Sequence, residues 1–487
     1  MPGPVYDLVV RNGTVGTATG SFEADVAVSG ESIVALGRGL PAGKREIDAA
    51  GKLVLPGGID AHCHIEQVSA GGLLNADTFE SASAAAAFGG TTSVICFAAQ
   101  HVGLRMDEVL ADYTARARRG AIVDYAFHLM VADPTEACLK EHLPAAIRAG
   151  HRSIKAFMTY DKIRLNDEQL LDLMLVAREN KALVCVHAEN HGMISWLAKR
   201  LVEKGYTAPR YHAMSHPRVS ESEAFERLAR MSQLLDQPVM IFHVSTAEGA
   251  AVIRRARGEG VKLFAETCPQ YLFMTADDLD KPGLEGAKWM CSPPIRTSAD
   301  QEALWRALEL GDLQTVTSDH APYRLDESGK FSAGPNPNFK QIANGLPGLE
   351  QRLPLLFDAM VVKGKLGLDA FVALTATNPA AIYDLKTKGA VAIGKDADIV
   401  LWDPAKRVTF TDAVHDNTGF TPYAGRTVTG VPETVIRRGE VILEGGALKG
   451  QPGSGKWLSR EGGRAAEPAG RLVAEMDPET NFGARLL

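Results

Sequence analysis

The chain has 487 residues, 45% of them apolar and 23% charged, with a formal net charge of -7 at pH 7. That length exceeds what one hydrophobic core holds, so a large domain with a smaller companion is expected. The acidic balance and the absence of a basic stripe argue against a nucleic-acid partner or an anionic membrane surface.

The first residues, MPGPVYDLVVRNG, lack a charged segment followed by an apolar one, so no secretory signal is expected. No apolar run is long enough to span a bilayer. Residues 5–50 hold short alternating segments with turn glycines, such as YDLVVRNGTV and VAVSGESIVALG, which predict antiparallel strands. From about residue 54 to 380 the pattern changes. Short apolar runs alternate with amphipathic stretches of helical length: LVLPGGID (53–60), TTSVICF (91–97), VDYAFHLMV (123–131), SIKAFM (153–158), ALVCVHAE (182–189), VMIFHVS (239–245), VKLFAET (261–267) and TVTSDHA (315–321). DEQLLDLMLVARENK (167–181) and SEAFERLARMSQLLD (222–236) carry apolar residues at helical spacing. Eight such units predict a (β/α)₈ barrel, with an open doubly wound sheet as the alternative.

Strand-like segments such as ADIVLWDP return after residue 390. Residues 1–54 and 390–446 are expected to build one small β-domain around a barrel of residues 55–389. Residues 447–487, rich in Gly, Pro and charge, read as a surface tail or an arm gripping another subunit. Within it GQPGSGK (450–456) fits most of a phosphate-loop pattern, but Trp457 stands where Ser or Thr should hold magnesium, and no buried strand leads in. The six cysteines show no C-x-x-C spacing, and most lie in apolar runs. They read as reduced core residues of a cytoplasmic protein.

His62 and His64 stand one residue apart behind the first apolar run. On a strand they share a face, so both imidazoles can reach one ion, though this spacing alone is common. Lys155 lies inside a strand, while His187, His243 and Asp319 end three others. In a barrel all these positions gather at the carboxyl ends of the strands, so six groups of ligand type converge from five strands. Lys155 cannot bind a cation as an ammonium. Desolvation and neighbouring dications would depress its pKa. The neutral amine can then add carbon dioxide, and the resulting carbamate can bridge two metals about 3.5–4 Å apart.

With HCH (62–64), SIKAFMTY (153–160), HAEN (187–190), HVSTAEGA (243–250), ETCPQYL (266–272), CSPPIR (291–296), SDHAP (318–322) and NGLPGLEQRLPLL (344–356), the chain resembles the dihydropyrimidinase and D-hydantoinase family of cyclic amidohydrolases. The resemblance covers nearly the whole chain. It implies a barrel with a small β-sandwich from both termini, two zinc ions bridged by N6-carboxylated Lys155, and a homo-oligomer, a tetramer ahead of a dimer. It places His62 and His64 on the more buried metal and His187 and His243 on the second. Asp319 would be a ligand of the first metal and the proton carrier. Tyr160 would bind the developing oxyanion, and Ser292 and Asn344 the amide edge of a small cyclic substrate. The implied reaction is attack of a metal-activated hydroxide on the carbonyl of a dihydropyrimidine, hydantoin or related ring.

Two features depart from the pattern. Dihydroorotases carry an arginine where this chain has Glu66, which disfavours a carboxylated ring. The first half of VSAGGLLNADTFESAS (68–83) is unlike the family's usual hydrophobic entry, which leaves the ring substituent open. Allantoinase-like chemistry on another ring and a non-catalytic adaptor are the rival readings, the latter opposed by the complete ligand set. His191 reads as a helix-start residue, His212 and His216 as surface-loop residues, and Glu189 and Asn190 as supports for ligand imidazoles. His320 is expected either to orient Asp319 or substrate, or to do neither.

Overall fold

The structure, a computed structural model, describes residues 5–487. Its eight-stranded parallel sheet runs in sequence order through Gly58–Cys63, Thr91–Ala99, Asp124–Met130, Ser153–Phe157, Leu183–His187, Val239–Ile241, Leu263–Thr267 and Thr315–Val316. The first and last members meet through a parallel bridge of Cys63 with His320, where the His64 N–H donates to the His320 carbonyl at 2.7 Å. The expected (β/α)₈ barrel is therefore what forms. Its strands are buried along almost their whole length, as continuous apolar runs require when helices cover the outside.

Helix boundaries follow local chemistry. The predicted helix at 167–181 is observed as Asp167–Glu179, opened by a capping box in which Asn166 and Gln169 satisfy each other's backbone N–H groups. The helix expected over 222–236 instead begins at Arg218, directly after Pro217, and ends where Asp236 turns left-handed at φ 46°.

The run read as one strand over 53–60 is two. Leu53–Pro56 pairs with Ile399–Thr409 in the terminal sheet, and the barrel strand starts only at Gly58. Gly57 makes the crossing: its N–H donates to the Asp398 carbonyl, and a Cβ there would collide with the Thr92 side chain. The terminal sheet has nine strands drawn from both ends of the chain and surrounds its own core of Val10, Val26, Ile33, Val54, Ile399 and Ile436. This is the small sandwich domain. Lys388 binds it to the barrel, with Nζ 2.6 Å from Asp124 and 2.8 Å from Asp398.

The closing seam of the barrel is polar. Arg352 is fully buried and donates to the carbonyls of Ile59 (3.1 Å) and Val316 (3.0 Å), which lie on the first and last strands. Its charge meets Asp60 at 3.2 Å, and Asp60 accepts the Ser318 N–H. The tail also lies on the chain's own barrel. Tyr125 exchanges backbone hydrogen bonds with Lys456 and Leu458, and buried Arg460 donates to the Phe127 carbonyl and the Ser153 hydroxyl. The glycines of GQPGSGK serve close approach, since a Cβ on Gly455 would strike the Val123 carbonyl.

Candidate active site

At the carboxyl end of the barrel a cavity of about 360 Å³ is lined by all nine residues singled out from sequence: His62, His64, Lys155, Tyr160, His187, His243, Ser292, Asp319 and Asn344. His62 is the fifth residue of its strand and His64 follows the strand's end. Lys155 is central in its strand and His187 last in its own. His243 and Asp319 lie just past their strands, and both hold left-handed backbone, at φ 40° and 48°; Tyr160 does so at 75°. Each such non-glycine residue costs on the order of 1–3 kcal/mol, a strain that clusters at functional sites.

The ligand-type atoms of His62, His64 and Asp319 lie within 4.8 Å of one another. The Asp319 carboxylate stands 3.1 Å from His62 Nε2 and 3.4 Å from His64 Nε2. Three of the four imidazoles are oriented from behind, while His243 Nδ1 is buried without a partner among the described residues. His62 Nδ1 meets buried Glu266 at 2.5 Å, His64 Nδ1 meets Gln67 at 2.8 Å, and His187 Nε2 meets Glu189 at 2.9 Å. The opposite ring nitrogen is thereby left to the cavity, as in metal-binding histidines held by an outer carboxylate. His187 and His243 lie with ring centroids 4.3 Å apart.

Charge is unbalanced at the centre. Burial disfavours the charged form of His62, but Asp319 and Glu266 outweigh it and push its pKa up to about 9. Burial would raise the Asp319 pKa, yet His62 and His64 hold it well below the ordinary value. Burial lowers the pKa of His64, His187 and His243. Lys155 is 1% exposed and its Nζ has no hydrogen-bond partner among the described residues. Its Nζ lies over aromatic faces, with the Phe242 ring centroid at 4.1 Å and that of Phe157 at 4.6 Å, and burial pushes its pKa down to about 7. An orphaned amine among four imidazoles and a carboxylate is a donor set that fits a metal pair.

Several sequence readings need correction. His212 and His216 are buried at 2% and 5% exposure and are not on a surface loop. His216 Nδ1 meets Glu189 at 2.8 Å, extending the support of His187, while His212 Nε2 meets the Cys291 carbonyl at 2.7 Å beside Ser292. His212 lies on the short helix Tyr211–Ser215 and His216 directly follows its end. Glu66 does not face the cavity. At φ 51° it turns outward, its carboxylate accepting the Phe79 N–H at the start of a helix and meeting Arg119, so it cannot repel a substrate carboxylate. The residue that does line the cavity is Gln67. His320 is tied to Asp77 at 2.8 Å and accepts the Gly348 N–H, away from Asp319. His191 opens a helix, as expected, and Asn190 caps that helix through the Met193 N–H.

The amidohydrolase family matches residues 53–442. The chain belongs to the amidohydrolase family. It is 40% identical over 457 residues to a D-hydantoinase of Ralstonia pickettii, covering 93% of this chain and 99% of the relative. A D-hydantoinase of Geobacillus stearothermophilus is 39% identical over 474 residues, covering 96% and 98%. The crystal structure of dihydropyrimidinase from Brevibacillus agri superposes with a TM-score of 0.90 at 39% identity, over 93% of this chain and 99% of that one. In all three the correspondence spans both the barrel and the terminal sheet.

Proposed function

We propose that this amidohydrolase opens a cyclic amide or imide ring, a dihydropyrimidine or a hydantoin, by hydrolysis at two zinc ions joined through N6-carboxylated Lys155. The observation that carries the reading is the partnerless Lys155 amine buried among His62, His64, His187, His243 and Asp319. His62, His64 and Asp319 would hold one ion, His187 and His243 the other, and the carboxylated lysine would supply the missing negative charge between them. Bound there, the two cations would polarise the amide carbonyl and lower the pKa of water from its bulk value towards about 7.

The protein's own groups do the rest. Ser292 and Asn344 present the amide edge of the ring to the centre; Asn344 Oδ1 is buried without a partner among the described residues and so has an acceptor to offer. Tyr160 donates its phenol proton in a hydrogen bond to the oxygen that becomes negative as the carbonyl turns tetrahedral. Burial raises the Tyr160 pKa well above the usual phenol value, which keeps that proton in place. Asp319, its carboxylate held ionised by two imidazoles, accepts the proton of the attacking water and delivers it to the departing ring nitrogen. The product carries a carboxylate and an amide or ureido group.

The cavity volume suits a small substituted ring. Its outer wall of Ser69, Ala70 and Gly71 leaves room for the ring substituent. Six buried free cysteines suit a reducing compartment, and we place the protein in the cytoplasm on that ground; among the described residues no helix is long and apolar enough to cross a membrane. The proposal also includes a homo-oligomer, a tetramer ahead of a dimer, to be measured by sedimentation. The reaction is tested on zinc-loaded protein with dihydrouracil, dihydrothymine, hydantoin, succinimide and allantoin. Ring opening of a dihydropyrimidine or hydantoin that disappears in Asp319→Asn is expected. A protein with full zinc that opens none of these rings would overturn the reading.

A further inference from the structure

Between the last barrel strand and Asn344 the chain makes a long excursion, and Lys330 sits inside it with 0% of its surface exposed. Its Nζ donates to two main-chain carbonyls, Met290 at 3.0 Å and Ala343 at 2.9 Å. Neither bond is to a carboxylate, and no ion pair of Lys330 occurs among the described residues. Burial without a counter-charge pushes the Lys330 pKa down to about 7, and burying so polar a group is costly where an apolar side chain would fill the same space.

The position of the two carbonyls gives the cost a reason. Ala343 directly precedes Asn344, and Met290 lies two residues before Ser292. The Gly345 N–H also donates to the Met290 carbonyl at 3.0 Å, so Lys330 and this bond together lock the two segments to each other. Ser292 and Asn344 line the cavity, whereas Lys330 lies behind them and does not. We propose that Lys330 is a positioning residue which sets the spacing between Ser292 and Asn344, and so the fit of the ring's amide edge. The inference rests on the reading above that those two residues meet that edge. Lys330 itself touches neither substrate nor ions.

The test uses zinc-loaded full-length protein, with dihydrouracil and its 1-methyl derivative, whose edge has lost an N–H. In the wild type, methylation is expected to raise KM. Lys330→Met is expected to raise KM for dihydrouracil at least tenfold, with kcat within threefold and metal content unchanged. Methylation should then add little further, because the contact it removes is already lost. Lys330→Gln, which keeps two N–H donors on one nitrogen, should return KM to an intermediate value; it carries the comparison alone if Lys330→Met does not fold. A KM unchanged in both variants, or penalties from variant and methylation that multiply independently, would overturn the role of Lys330 alone. If methylation leaves the wild-type KM unchanged, the amide-edge reading fails, and Lys330 with it.

Discussion

In the proposed mechanism Asp319 carries the proton and Tyr160 binds the oxyanion, and single substitutions separate the two roles. Asp319→Asn keeps the shape and loses the base, so turnover should fall by several powers of ten while the protein melts as before. Tyr160→Phe should cost about 10²–10³ in kcat, the usual price of one oxyanion donor, with zinc content intact. Glu189→Ala should weaken zinc binding by about 10–100-fold, because it frees His187 from its outer support; titration with a competing chelator reads this directly. At this scale the sequence was a good guide to which side chains share the cavity and a poor one to what holds them. Six ligand-type side chains could be recognised because strand ends converge. The contacts of Glu189 with His216, of Glu266 with His62 and of Lys330 with two carbonyls join residues far apart in the chain, and no spacing reports them. The reading of Glu66 failed for a related reason: proximity to His64 in sequence says nothing about a left-handed turn that sends the next side chain outward.

Periodicity located the barrel strands, yet it could not see where one strand hands over to another sheet. Leu53–Pro56 and Gly58–Cys63 form one continuous apolar run, and only Gly57, with no room for a Cβ, marks the change of partner. The seam between first and last strands was likewise invisible, because Arg352 and Asp60 lie almost three hundred residues apart. Arg352→Met removes one side of this fully buried pair and leaves Asp60 uncompensated. It should destabilise the fold by about 3–5 kcal/mol in denaturant titration. A loss under about 1 kcal/mol would mean that the seam is held by packing and backbone bonds instead.

Polar contacts join the terminal sheet and the tail to the barrel. Lys388 ties the terminal sheet to the barrel, and the tail seals the strands beside Tyr125 and Phe127. Burial also sets the molecule's response to acid. It pushes the pKa of His151 down to about 4 and that of His212 down to about 3, both from the ordinary 6.5. A lowered folded pKa means that the unfolded chain binds the proton more readily. The stability these neutral imidazoles contribute is therefore complete above pH 6.5 and is lost as pH falls towards 3. Over that range His151 accounts for roughly 3–4 kcal/mol and His212 for roughly 5 kcal/mol, from about 1.4 kcal/mol per pKa unit. Melting temperature should accordingly drop across pH 6.5 to 3, and His151→Gln should flatten part of that slope. The most direct test of the whole account is elemental analysis of protein reconstituted with zinc and bicarbonate, wild type beside Lys155→Ala. About two zinc ions per chain in the wild type and a clear deficit in the variant are predicted; equal zinc in both, or none in either, would contradict it.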